Sequence, residues 1–248
     1  MLFLFITFLS YCQSELYLHR TFYYKGDTLQ YRVLFPKDYD HKKTYPLVLF
    51  LHGSGECGSD NELQLIHGSK VFSNDSARKN FPAIVIFPQC PTNDSWVNFE
   101  YISQAKFNFI VEKQPSKPLL LAKKMVEMYK RNEAVDSKRI YVLGLSLGGM
   151  ATYDLICRYP KTFAAAIPIC GAVDVERLKK CRNMPIRIYH GSKDNAVSPE
   201  YARNAYSKLK EMGSKQIDYI EFSDIEHDSW NPAFADPNFL IWLFEKSR

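Results

Sequence analysis

The sequence predicts an α/β fold built on a mostly parallel sheet, and three observations predict it. Short, continuous apolar runs recur along the chain, each stopping at a glycine, a proline or a turn cluster. Segments of helical periodicity lie between them. No repeat or low-complexity linker interrupts the series. Uninterrupted apolar runs of this length suit strands buried on both sheet faces. Strand and helix in alternation imply a parallel sheet covered by helices on both sides.

With 248 residues, the chain has the length of one large domain, expected over residues 15–248. Its composition, 46% hydrophobic and 24% charged with 11 glycines and 13 prolines, excludes a collagen-like or low-complexity chain. The formal charge is 32 − 27 = +5, spread in pairs such as Lys123-Lys124 and Lys138-Arg139. No basic block is interleaved with aromatics, so nucleic acid is not an expected partner.

The opening residues, MLFLFITFLS, carry no charge. A membrane span needs about 20 apolar residues, so no integral span is expected here. The run reads instead as the centre of a secretory signal peptide over residues 1–14, with Cys12-Gln13-Ser14 offering small residues for cleavage after Ser14. No Lys or Arg precedes Arg20, so the usual positive start is missing. The expectation is a secreted or periplasmic protein; lipid anchoring through Cys12 is the alternative, against which bulky Tyr11 speaks. Cleavage would leave Cys57, Cys90, Cys157, Cys170 and Cys181, an odd number in which at least one thiol stays free.

Residues 21–24 and 28–34 are β-rich runs around Lys25-Gly26-Asp27, an antiparallel hairpin. Apolar strands follow at 46–51, 83–87, 140–143, 163–169, 185–189 and 217–222. Helices fall at about 119–131, at 147–158 before Tyr159-Pro160, at 199–212 before Gly213, and at 238–246. The stretch 93–117 breaks the alternation. It is long and polar but holds Trp96, Phe99, Tyr101, Phe107 and Phe109, and reads equally as a lid or as surface elaboration.

Gly144-Leu-Ser-Leu-Gly-Gly149 sits where a strand gives way to a helix. A nucleophile on so tight a turn needs neighbours without a Cβ, and the turn lifts the Ser146 hydroxyl above the sheet. The helix N-terminus beside it aims N–H groups at a developing oxyanion. Serine needs a base, oriented in turn by an acid. In this arrangement both follow it in the chain, acid before base. Asp194, in the loop after the strand at 185–189, is the expected acid, with Asp174 as its rival or else a helix cap. His227, the single histidine after Asp194, is the expected base. The oxyanion donors are expected from Leu147 N–H and from the loop His52-Gly-Ser-Gly-Glu-Cys-Gly58, at Ser54, with Gly53 next in line. Trp96 and Trp230 are candidate substrate contacts. No Cys-x-x-Cys or His-x-x-x-His spacing suggests a metal, and no cofactor is implied.

These motifs, with Pro88-Gln-Cys-Pro91 ahead of Trp96 and His227-Asp-Ser-Trp230, resemble the α/β-hydrolase superfamily from about Tyr31 to Trp242. Within it the chain is similar to secreted phospholipase/carboxylesterase-like and "predicted peptidase" esterases related to polyhydroxybutyrate depolymerases and feruloyl esterases. Cys57 stands where such relatives often carry an arginine, in Gly-Glu-Arg-Gly; the backbone donors of that loop are unaffected. The resemblance implies a serine hydrolase acting on carboxylic esters through an acyl-enzyme without a cofactor, with esters of plant carbohydrates as the favoured substrates. A prolyl-oligopeptidase-like serine peptidase is the alternative, disfavoured because this length leaves no room for a propeller domain. A non-catalytic binding protein on the same fold would be marked by loss of a triad member, and none is lost. Oligomeric state is left open.

Overall fold

The computed structural model describes residues 15–248. The leader read over residues 1–14, with Cys12, lies outside the described residues. Among the described residues ten strands form, β1 Leu18–Tyr24, β2 Asp27–Leu34, β3 Tyr45–Leu51, β4 Ile84–Pro88, β5 Phe99–Ser103, β6 Lys106–Phe109, β7 Val135–Leu145, β8 Ala165–Ile169, β9 Ile186–Gly191 and β10 Ile217–Phe222. Eight of them make one sheet in the order β1-β2-β4-β3-β7-β8-β9-β10. The β1–β2 hairpin is antiparallel, β2 joins β4 antiparallel, and every pairing beyond it is parallel. The expected hairpin therefore forms one edge of a mostly parallel sheet.

The helices are α1 Ser69–Ser73, α2 Asp75–Asn80, α3 Lys117–Asn132, α4 Leu147–Arg158, α5 Glu200–Glu211, α6 Trp230–Ala235 and α7 Phe239–Phe244. Successive strand residues point to opposite faces, and the two cores divide accordingly. Leu47, Leu49, Ile84, Ile86, Ile140 and Val142 pack on one side with residues of α3, α4 and α5. Val48, Phe50, Val85, Phe87, Tyr141 and Leu143 pack on the other with residues of α1, α6 and α7. Covering both faces explains why these strands carry no polar alternation.

The stretch 93–117 is not a plain loop. β5 and β6 form a separate antiparallel hairpin within it, and Phe99, Tyr101 and Phe107 cluster there with one another. Tyr201 of α5 anchors the hairpin, its hydroxyl accepting from Phe107 N–H at 2.8 Å. Ser198 N–H also donates to Ala105 O. Among the described residues, no helix is long and apolar enough to cross a membrane.

Candidate active site

The parallel strands deliver their C-terminal loops to one end of the sheet, the end where open α/β sheets place their ligands. Ser146 lies between β7 and α4 with φ 53° and ψ −118°, a backbone conformation few non-glycine residues adopt. The crowding predicted for its neighbours is present. A Cβ on Gly148 would stand 2.0 Å from Leu51 O, and one on Gly144 would stand 2.5 Å from Gly148 O. Both positions admit only glycine, because β3 passes directly against the turn.

His227 follows β10 and reaches Ser146 from the side. Its Nε2 is 2.8 Å from Ser146 Oγ, and its Nδ1 is 2.8 Å from Asp194 Oδ2. Asp194 Oδ1 in turn accepts from the Ala196 and Val197 amides at 2.9 Å each. Burial of Asp194 pushes its pKa up, but hydrogen bonds from His190, His227 and Val197 outweigh that and hold the carboxyl well below the usual range. The acid is thus an anion fixed by backbone donors. Such an arrangement can pass a proton from Oγ to Nε2 while the carboxylate stabilises the imidazolium. Asp174, the rival acid, is exposed and accepts from Glu176 N–H at 3.1 Å, capping the 3₁₀ turn Val175–Cys181. It makes the cap and no contact with the histidine.

Leu147 opens α4, so its N–H has no acceptor within the helix. Ser54 opens a 3₁₀ turn, Ser54–Glu56, whose Gly53 carbonyl accepts from Glu56 N–H. Both N–H groups stand at helical N-termini. Gly53 lies directly across from the nucleophile, since a Cβ built there would be 3.5 Å from Ser146 Cβ. The loop thus faces the Ser146 turn at Gly53.

The two tryptophans part company. Trp230 is half-buried and presents its ring edge-on to His227, with centroids 5.5 Å apart. Trp96 is fully buried, so it offers no surface to a substrate, and its expected binding role is corrected. Its indole N–H donates to His52 O at 3.2 Å and its carbonyl accepts from Ser116 Oγ at 2.7 Å. A ring this large in the 93–117 segment serves to peg that segment to the start of the loop at residues 52–58.

His52 is the residue that sequence reasoning passed over there. Its Nδ1 lies 2.6 Å from Gly53 O and its Nε2 accepts from Cys90 N–H at 2.9 Å, so the proton sits on Nδ1. Burial holds its pKa down to about 4, against the opposing pull of the Gly53 carbonyl. An unfolded imidazole titrates near ~6.5. Between these values the unfolded chain takes up a proton that the folded protein refuses. Stability from His52 is therefore complete above about 6.5 and is lost as the pH falls toward 4. Urea unfolding at pH 7 and pH 5 is expected to give a drop of about 2 kcal/mol from this group. His52→Asn, which keeps a donor near the Nδ1 position, should lack that component.

Cys57 and Cys90 are free thiols whose side chains hydrogen-bond each other beside this loop, as do Cys157 and Cys181 behind α4, while Cys170 is buried. Among the described residues, Cys170, Asp194 and His227 bring ligand-type atoms within 4.8 Å of one another. Two of the three are engaged with Ser146 or each other, and burial pushes the Cys170 thiol far up, against the thiolate a metal would need. The trio does not fit a metal site.

A family model described as Phospholipase/Carboxylesterase matches residues 38–240. The chain belongs to the phospholipase/carboxylesterase family. It is 26% identical over 182 residues to the Probable carboxylesterase SOBER1-like of Arabidopsis thaliana, a match covering 67% of this chain and 66% of that protein. A crystal structure of a thermostable esterase superposes with a TM-score of 0.86 at 35% identity, covering 96% of this chain and 64% of that one. The chain thus spans a little under two thirds of each of these proteins. A ferulic acid esterase from Anaeromyces mucronatus, solved in complex with ferulic acid, shares the fold with a TM-score of 0.65 at 14% identity, covering 90% and 89% of the two chains. As in the esterase structures, an N-terminal antiparallel hairpin leads into a mostly parallel sheet.

Proposed function

We propose that this protein is a serine esterase that cleaves carboxylic esters through an acyl-enzyme. The observation that carries the reading is the unbroken hydrogen-bonded chain from Ser146 Oγ through His227 to Asp194, with each link at 2.8 Å. His227 Nε2 takes the hydroxyl proton as Ser146 Oγ attacks the ester carbonyl. Asp194 holds the ring by Nδ1–H and balances its charge. The Leu147 and Ser54 amides donate to the oxyanion, a stabilisation worth on the order of 3 kcal/mol per donor. His227 then returns the proton to the leaving alkoxide, and water releases the acyl group by the same steps. The likeness to the SOBER1-like carboxylesterase and the thermostable esterase favours esters over amides.

Acyl esters of plant carbohydrates are the finer part of the proposal, favoured by what the ferulic acid esterase is named for. Export to the periplasm or medium belongs to the same reading and rests on the uncharged opening run. A panel of p-nitrophenyl, acetyl-sugar, feruloyl and dipeptidyl substrates tests the whole. Turnover of the esters with feruloyl or acetyl-sugar compounds ranked first is the expected outcome. Dipeptidyl amides cleaved ahead of every ester would overturn it in favour of a peptidase.

A further inference from the structure

The strand end that leads into the Asp194 loop carries a second imidazole. His190 lies four residues upstream, near the end of β9, and its side chain, like that of Asp194, is completely buried. Its Nε2 stands 3.1 Å from Asp194 Oδ2 and 2.9 Å from Val197 O. Both neighbours are acceptors, so Nε2 carries a proton, and its single N–H is shared between them: it donates to Val197 O and leans on Asp194 Oδ2. Nδ1, on the far side of the ring, has no hydrogen-bond partner among the described residues. Every polar contact this ring makes is thus directed at the acid and its loop.

The carboxylate of Asp194 is consequently held on both oxygens. Oδ1 takes two backbone amides, and Oδ2 lies between the imidazoles of His190 and His227. An oxygen that accepts two hydrogen bonds gives less negative charge to each donor. His190 and His227 therefore draw on the same lone pairs. We propose that His190 is a positioning residue of the site, which shares Asp194 Oδ2 with His227 and so sets how strongly that oxygen holds the His227 Nδ1–H. The inference rests on the esterase reading for its kinetic meaning.

The other groups facing the two rings do not supply this effect. Cys170 lies beside Asp194 and His227, and burial keeps its thiol protonated. Trp230 meets His227 with a ring edge, and His67 lies behind Trp230. Glu226 and Asp228, the chain neighbours of His227, are exposed. Glu221, the register partner of His190 on β10, is bound by Arg203 and Tyr219. None of them donates to Oδ2.

The test is the titration of the His227 ring, followed by NMR in the full chain without substrate, together with the acid limb of the pH dependence of kcat/KM. His190→Leu removes the donor at similar bulk, while the amide of His190→Gln can return an N–H near the Nε2 position. Since the backbone amides still hold Oδ1, the leucine variant should bind the His227 proton roughly three- to tenfold more tightly, moving the midpoint and the acid limb to higher pH. The glutamine variant should titrate like the wild type. An unmoved midpoint in the leucine variant, or equal shifts in both variants, would mark His190 as packing only. Should the leucine variant not fold, the wild type decides alone. Nitrogen shifts placing the His190 proton on Nδ1 with Nε2 bare overturn the proposal. A proton on Nε2 supports it only together with a coupling across the hydrogen bond from Nε2 to the Asp194 carboxyl group, because Val197 O alone would hold the proton there without it. The titration needs no turnover, so an inactive wild type would remove the esterase reading without touching this one.

Discussion

Ser146→Ala is expected to abolish ester turnover and labelling by fluorophosphonates while leaving the fold intact. The magnitude follows from how the three side chains act as a unit. Without Oγ no acyl-enzyme forms, and the imidazole and carboxylate behind it have nothing to activate. Loss of the nucleophile in such enzymes lowers kcat on the order of 10⁶-fold. Residual hydrolysis would come from the Leu147 and Ser54 amides and from binding alone. The fold should survive because Ser146 contributes no packing beyond its turn: its Oγ faces His227 and its carbonyl accepts from Met150 N–H at 3.0 Å, which alanine preserves. Circular dichroism and labelling measured on the same sample check both halves. Labelling that persists in the alanine variant would assign the nucleophile elsewhere.

Asp194→Asn carries the second largest effect, a loss on the order of 10⁴ in kcat. The two loop amides at Oδ1 explain why the loss is so large. They require an acceptor at that position, so the asparagine carbonyl oxygen is held there and its NH₂ group is turned toward His227 and His190. Facing a donor, His227 must place its proton on Nε2, where it no longer accepts from Ser146. The ring is locked in the unproductive tautomer. Asp174→Asn is the matched control. Its exposed side chain caps a 3₁₀ turn, so it should cost no more than about 1 kcal/mol of stability and leave kcat unchanged. Measuring kcat and melting temperature for both variants separates the roles, since a cap registers in stability and an acid in rate. A dead Asp174→Asn beside a nearly normal Asp194→Asn would reverse the assignment.

The sheet was legible because its physics is local. Strands buried on both faces have no polar side to display, so β3, β4, β8 and β9 stand out as apolar runs closed by turn residues. Ser146, Asp194 and His227 were legible because each loop leaves its strand at the same end of the sheet. Other features depend on what meets across space. Helices α1, α2 and α6 span five or six residues each, too few for a 3.6-residue period to declare itself. The β5–β6 hairpin is short and mostly exposed, so its sequence carries little strand signal. Trp96 was misjudged because an aromatic in a polar loop reads the same whether it faces solvent or lies beneath it. His190 left one faint signal, a histidine four residues before the acid, but the meeting of its Nε2 with Oδ2 depends on how the loop folds back through Val197.

The backbone at Ser146 sets the interests of folding and chemistry against each other. A side chain held at φ 53° and ψ −118° carries strain on the order of 1–3 kcal/mol, which glycine at the same point would largely escape. A chain selected only for thermal endurance would therefore carry glycine at 146. Protein engineering that ranks substitutions by melting temperature alone would favour that replacement, and would obtain a sturdier molecule with no nucleophile.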